Sequence, residues 1–152
     1  MLGSLRSASY LLPRSRWKRL LNCLQRAQKA TIEEQYEKHG VRAFDIHVFF
    51  ENGNGRAFVK YGNIDYSTFS VFEFLSFLDR KGNCFVRLVL EEDYEITDTE
   101  RRFVGYCNLV AAMFPNIVFF GGYRQFDFKR LHDFGNQHPH GLKFVKNVHK
   151  VK

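Results

Sequence analysis

The chain has 152 residues, 45% of them hydrophobic and 17 of them phenylalanine, which excludes a disordered protein and fits one domain around one core. No apolar run reaches the roughly 20 residues of a membrane helix, and no secretory signal precedes the first apolar cluster, Tyr10-Leu11-Leu12. The net charge of +7 is uneven: residues 1–30 carry +7, residues 31–122 carry −5 and residues 123–152 carry +5.

Basic ends on an acidic middle read as solvated termini, or as attraction to phosphate on an anionic membrane surface or a nucleic acid. Cys23, Cys84 and Cys107 are odd in number and lack metal-type spacing. Free buried thiols in a reducing, cytoplasmic setting are therefore expected.

In chain order, Ala8 to Leu12 is a short strand closed by Pro13. Ser15 caps a helix from Arg16 to Ala30, whose apolar face is Trp17, Leu20, Leu21, Leu24 and Ala27. Thr31 and Glu34 have capping-box spacing, and Gly40 stops the helix they open. Val41 to Phe50 is a buried strand, and Glu51 to Gly55 a hairpin turn by composition. Arg56 to Tyr61 pairs back, and Gly62 to Ser67 is a loop. Thr68 caps a helix to about Arg80, and Lys81-Gly82-Asn83 is a turn. Cys84 to Leu90 is a second buried strand, ending in Glu91-Glu92-Asp93. A helix from Asp98 to about Phe114 is closed by Pro115, and Asn116 to Phe120 is a third strand. Phe126 to Phe134 is a short helix; the last seventeen residues hold a strand at Leu142 to Val145 or form a loose tail.

Apolar strands alternating with amphipathic helices argue for a parallel sheet covered on both faces. A closed barrel takes about 250 residues. The expectation is thus an α/β partial or truncated TIM barrel with about four to five parallel strands plus a β-hairpin. It spans residues 1–135, and residues 136–152 form a basic tail. A protein partner or homo-oligomer would complete it.

The strand Val41 to Phe50 is apolar except at Asp45 and His47 (Arg42 lies at its start). Residues i and i+2 share a strand face, so the two look the same way. Ionisable groups there are costly unless paired. One reading is a hydrogen-bonded network of Asp45, His47 and an arginine inside the sheet.

Gln35, then Gly40-Val41-Arg42-Ala43-Phe44-Asp45-Ile46-His47, the glycine-tipped hairpin, Phe77-Leu78 and Leu90-Glu91-Glu92-Asp93-Tyr94-Glu95 follow one another in a known order. This stretch, about Gln28 to Glu95, resembles the X-type catalytic domain of the phosphatidylinositol-specific phospholipase C superfamily. The resemblance implies a phosphodiesterase barrel of that type. It also implies two proton-transfer histidines, one in a Pro-Gly-Thr-His-Asp loop after the first strand and one before a glycine. At those places stand Arg16, within Pro13-Arg14-Ser15-Arg16-Trp17, and Tyr61 of Tyr61-Gly62. Asp45 keeps its family identity, while His47 replaces a family arginine.

The site implied by the resemblance has Asp45, His47 and Tyr61 in catalytic positions and Arg16, Lys60 and Arg42 against phosphate. Metal-dependent members place ligands at Asp45, His47 and Glu91, a set suited to a divalent cation: manganese or zinc before calcium. Three functions compete. The first is a catalytically degenerate phospholipase-C-like domain that binds a phosphate-bearing ligand or a partner. The second is an active metal-assisted phosphodiester hydrolase, and the third a basic membrane- or nucleic-acid-binding module.

Overall fold

Ten residues, Val41–Phe50, form the longest strand, β2, and the sheet is built out from it. The computed structural model describes residues 1–11, 13–15, 17–19, 27–51, 56–91, 99–121, 143–146 and 148. Before β2 lies helix α1 (Ile32–Glu37). Its capping box is closed at 3.1 Å in both directions, Glu34 N–H to Thr31 Oγ1 and Thr31 N–H to the Glu34 carboxylate. Gly40, at φ +65°, takes the left-handed turn that separates helix from strand.

The other elements are β1 (Leu2–Ser4), β3 (Ala57–Tyr61), β4 (Ile64–Ser70), α2 (Val71–Lys81), β5 (Cys84–Leu90), α3 (Thr99–Met113), β6 (Ile117–Gly121) and β7 (Lys143–Val145). They make a seven-stranded mixed sheet. One edge of β2 carries β5 in parallel, from Ala43 opposite Phe85 to Val48 opposite Leu90. The other edge is shared: β1 runs parallel to Val41–Phe44, and β3 runs antiparallel to Val48–Phe50. Outside these, β6 is parallel to β5, β7 parallel to β1, and β4 antiparallel to β3.

This overturns the partial TIM barrel of phospholipase C type. A barrel strand gives each edge to one parallel neighbour and closes the ring. Here β2 splits one edge between a parallel and an antiparallel strand, and the sheet stays open. The physical cause lies in Ile64–Ser70, expected as loop and helix cap. It is a strand, because Ile64 and Tyr66 are buried opposite Tyr61 and Val59. The helix start moves with it to Ser70, whose N–H meets the Glu73 carboxylate at 3.1 Å.

Alternation along β2 separates two faces. Phe44, Ile46 and Val48 join Val86, Leu88, Val71, Leu75 and Leu78 in the apolar core, with Phe103 and Val110 of α3. Each such side chain stabilises the fold by about 1.5–3 kcal/mol. The opposite face carries Asp45 and His47. Among the described residues no helix is long and apolar enough to cross a membrane. Cys84 and Cys107 are free, whereas Cys23 lies outside the described residues.

Smaller expectations also shift. Ala8 to Leu11 is turn rather than strand, and the first strand comes earlier, at Leu2–Ser4. Of the helix expected over Arg16 to Ala30, residues 17–19 are helical and 27–30 are not; Trp17 is 83% exposed rather than on a buried face. The hairpin tip at 52–55 and the helix expected at 126–134 lie outside the described residues. Part of the segment expected as a tail is in the sheet, as β7.

Gln28, fully buried, fastens that strand. Its amide donates to the carbonyls of Leu5, Val145 and Lys146 at 2.9–3.1 Å, and its oxygen accepts from Val148 N–H at 3.1 Å. Gln28→Leu removes the partner of the Lys146 carbonyl and the Val148 N–H and should cost about 3 kcal/mol in urea unfolding. Amide exchange at Val145 and Val148 should accelerate before that of β2.

Candidate functional site

Asp45 is the anchor. Its side chain is 2% exposed, and a carboxylate so deep needs partners. Parallel register sets Arg87 of β5 beside it, and the Arg87 Nε–H reaches Asp45 Oδ1 at 2.6 Å. Asp45 Oδ2 accepts the backbone N–H of Arg6 at 3.1 Å and faces His47 Nε2 at 3.3 Å. The other imidazole nitrogen, Nδ1, lies 2.6 Å from Glu91 Oε1. Glu91 is in place because its N–H continues the ladder onto the Val48 carbonyl at 2.8 Å. A charged row thus runs Arg87, Asp45, His47, Glu91, with Asp45 buried and the outer members Arg87 and Glu91 20% and 26% exposed.

A loop closes over this row. Residues 5–10 follow β1, and Arg6 is held at φ 48°, a conformation costly outside glycine. Buried polar side chains pin the loop. Ser7 N–H donates to the Asp45 carbonyl, while Asp45 N–H donates to Ser7 Oγ, both at 2.8 Å. Gln35 donates to the Ser7 and Ala30 carbonyls and accepts from Ser4 Oγ, all at 2.7 Å. Ser9 Oγ accepts the N–H groups of Ala27 and Gln28.

Tyr61 completes the wall. Its hydroxyl donates to the Asp45 carbonyl and accepts Ala8 N–H, both at 3.2 Å, and its ring centre is 5.1 Å from that of His47. The Arg6 guanidinium sits 5.8 Å over the same ring.

The electrostatics follow from burial against pairing. Burial acts to raise the Asp45 carboxyl, but His47 and Arg87 outweigh it and hold the pKa down at about 2. Burial acts to lower His47, but the two carboxylates win and raise it above its usual 6.5. The hydrogen bond from His47 lowers Glu91 against partial burial, with help from Gly62 N–H and Arg6. Burial, then the Asp45 charge, pushes Tyr61 well above 10, so it stays a neutral phenol.

Of the residues singled out in the sequence, the structure gathers Asp45, His47, Glu91 and Tyr61. Arg42 is not with them: it has the strand parity of Phe44, and its guanidinium donates to the Tyr36 and Val41 carbonyls over the Tyr36 ring. Lys60 lies over the Phe49 ring at 5.5 Å. Arg16 lies outside the described residues. Its stretch does not follow the first strand, because that strand ends at Ser4. Arg6 and Arg87 were missed. Arg87 had a signal, since it is the lone charge in an apolar strand and so needs an acid nearby.

The donor set does not fit a shared cation. Asp45 and Glu91 meet different nitrogens on two edges of the imidazole ring. An ion at the usual 2.0–2.2 Å from one nitrogen would leave the other carboxylate across the ring. The carboxylates also favour the protonated imidazole, which has no lone pair to give. No group of three His, Cys, Asp or Glu among the described residues is placed to hold a metal ion. No protein-family model, curated protein or solved structure matches the chain.

Two outcomes follow for stability. Depression of Asp45 from 3.8 to about 2 corresponds to about 2 kcal/mol, present above the unfolded value and lost as pH falls through about 2. Elevation of His47 contributes below 6.5 and is lost as pH rises through the folded value. Calorimetric Tm should therefore peak between about pH 4.5 and 6.5 for this cluster, and His47→Gln should flatten the alkaline decline. Asp45→Asn, which leaves Arg87 facing a neutral amide, should cost about 3 kcal/mol.

Proposed function

We propose that the chain is a binding domain without proton-transfer chemistry, which holds a phosphate-bearing ligand beside Arg6 and His47. One observation carries this reading: both nitrogens of His47 face carboxylates, which favours the protonated imidazole and leaves neither nitrogen free to take a proton from a substrate. Among the described residues nothing else nearby takes up the task. The loop after β1, where the resembled family keeps a histidine, reads Leu5-Arg6-Ser7-Ala8-Ser9-Tyr10. At the second histidine position Tyr61 is a buried phenol whose hydroxyl already has a donor and an acceptor.

The ligand class follows from charge. Arg6 and Arg87 balance Asp45 and Glu91, and the carboxylates favour the protonated form of His47, which tips the cluster toward positive charge. Arg87 is bound to Asp45, whereas Arg6 makes no salt bridge among the described residues and is only partly buried. A guanidinium in that position suits a phosphate through paired N–H donors.

Titration with inositol 1-phosphate and with inorganic phosphate, followed by calorimetry and by nitrogen shifts of His47 and Arg6, tests the reading. Saturable binding is expected, weakened roughly tenfold in Arg6→Gln. A chromogenic phosphodiester should show no turnover with manganese, zinc or calcium added. Turnover that disappears in His47→Ala would establish the metal-assisted hydrolase instead. Binding that ignores Arg6 but collapses steeply with salt would leave only a general basic surface.

A further inference from the structure

A cavity of about 410 Å³ opens between the loop after β1, the start of α1 and the start of α2. Its size is that of a small-molecule pocket. The floor is apolar: Leu11, Ile32 and Phe74 are each at most 8% exposed. Aromatic rings surround it, from Tyr10, Phe69, Phe74 and Phe77. Phe69 stands at the mouth, 46% exposed, its ring centre 6.4 Å from that of Phe74. Burial raises the Tyr10 hydroxyl to about 12, so this ring adds no charge near neutrality.

The charged residues of the lining are Glu33 and Glu73, both acids. Their pairing sets them apart. Glu34, Glu37, Glu51 and Glu91 each have a cationic partner: Lys38, Lys81, Arg14 and His47. Glu33 and Glu73 have none among the described residues, in a protein with a net charge of +7. Glu73 gives one oxygen to the Ser70 N–H. Two acids without counter-ions at the rim of an aromatic-walled pocket make a field that favours a cation with an apolar body. Ring faces attract such a cation, and its weak hydration lowers the cost of entering.

We infer that this pocket, formed by Tyr10, Phe69, Phe74 and Phe77 with Glu33 and Glu73, binds an organic ammonium carried on a short apolar chain. The ammonium sits between the two carboxylates and the Phe69 face, and the chain extends onto Leu11, Ile32 and Phe74. The same chemistry is offered by a free alkylammonium and by the trimethylammonium headgroup of a lipid.

Hexyltrimethylammonium, below its micellar concentration, is the probe, with hexanol and hexanoate as neutral and anionic counterparts. Calorimetry on the full chain should show saturable binding of the cation and none of hexanoate. The double variant Glu33→Gln with Glu73→Gln should weaken it roughly tenfold. Glutamine keeps the capping geometry at Ser70, so the fold should stand. Phe69→Ala, at an exposed ring, should weaken it without loss of Tm. Failure of the wild-type chain to bind the cation overturns the proposal. So does equal binding of hexanol, or an unchanged affinity in the glutamine variant. With cation binding established, co-sedimentation with phosphatidylcholine vesicles that hexyltrimethylammonium displaces supports the lipid headgroup as source. Cation binding without co-sedimentation supports a free ammonium. Arg6→Gln should leave this binding unchanged, which separates it from the phosphate site.

Discussion

A single buried carboxylate sets the arrangement of the molecule around it. Asp45 is 1% exposed and would be untenable as an unpaired ion. Its partners come from three stretches far apart in sequence: Arg87 on β5, the backbone of Arg6 on the loop after β1, and His47 on its own strand. Each is held in turn by something else. Parallel register aims Arg87, the serine–glutamine network fixes the loop, and Glu91 steadies His47. The left-handed backbone at Arg6 is tolerated because that network over-determines it.

The same satisfaction of charge that makes the row stable makes it unreactive. A general base needs a free lone pair and a pKa near the working pH. His47 lacks the free lone pair, with a carboxylate at each nitrogen, and Tyr61 has spent its hydroxyl on the backbone. What remains is shape and charge, which serve binding. The molecule then has two regions of opposite character. Beside the row Arg6 and His47 offer cationic groups, and the aromatic cavity beside α1 and α2 is acidic at its rim, through Glu33 and Glu73. An amphipathic ligand and an anionic one would go to different places.

Local signals in the chain were strong where they depended on near neighbours. The ten-residue apolar run Val41–Phe50 is a strand to its last residue, and Thr31 with Glu34 closes its box as spaced. Cys84–Leu90 is likewise a strand. The period of two placed Asp45 and His47 on one face, and the cost of burying them required partners. The signals failed where pairing decides. Leu2–Ser4 is three residues long and forms only because β2 and β7 lie on either side. Ile64–Ser70 is polar enough to pass for a loop, and is a strand because Tyr61 and Val59 bury its alternate side chains. The barrel expectation fell with those two, since an added antiparallel flank takes the edge that a closing neighbour would need.

Sequence alone determined the Thr31–Glu34 cap, the apolar strands and the fact that an aspartate and a histidine share a face. Those follow from chain geometry within a few residues. Only the folded molecule decided that the sheet is open and mixed, that Arg6 and Arg87 join the row, and that the histidine lies between two acids. Each depends on register between strands tens of residues apart. A shift of one residue in β5 would turn Arg87 to the opposite face and leave Asp45 without its guanidinium.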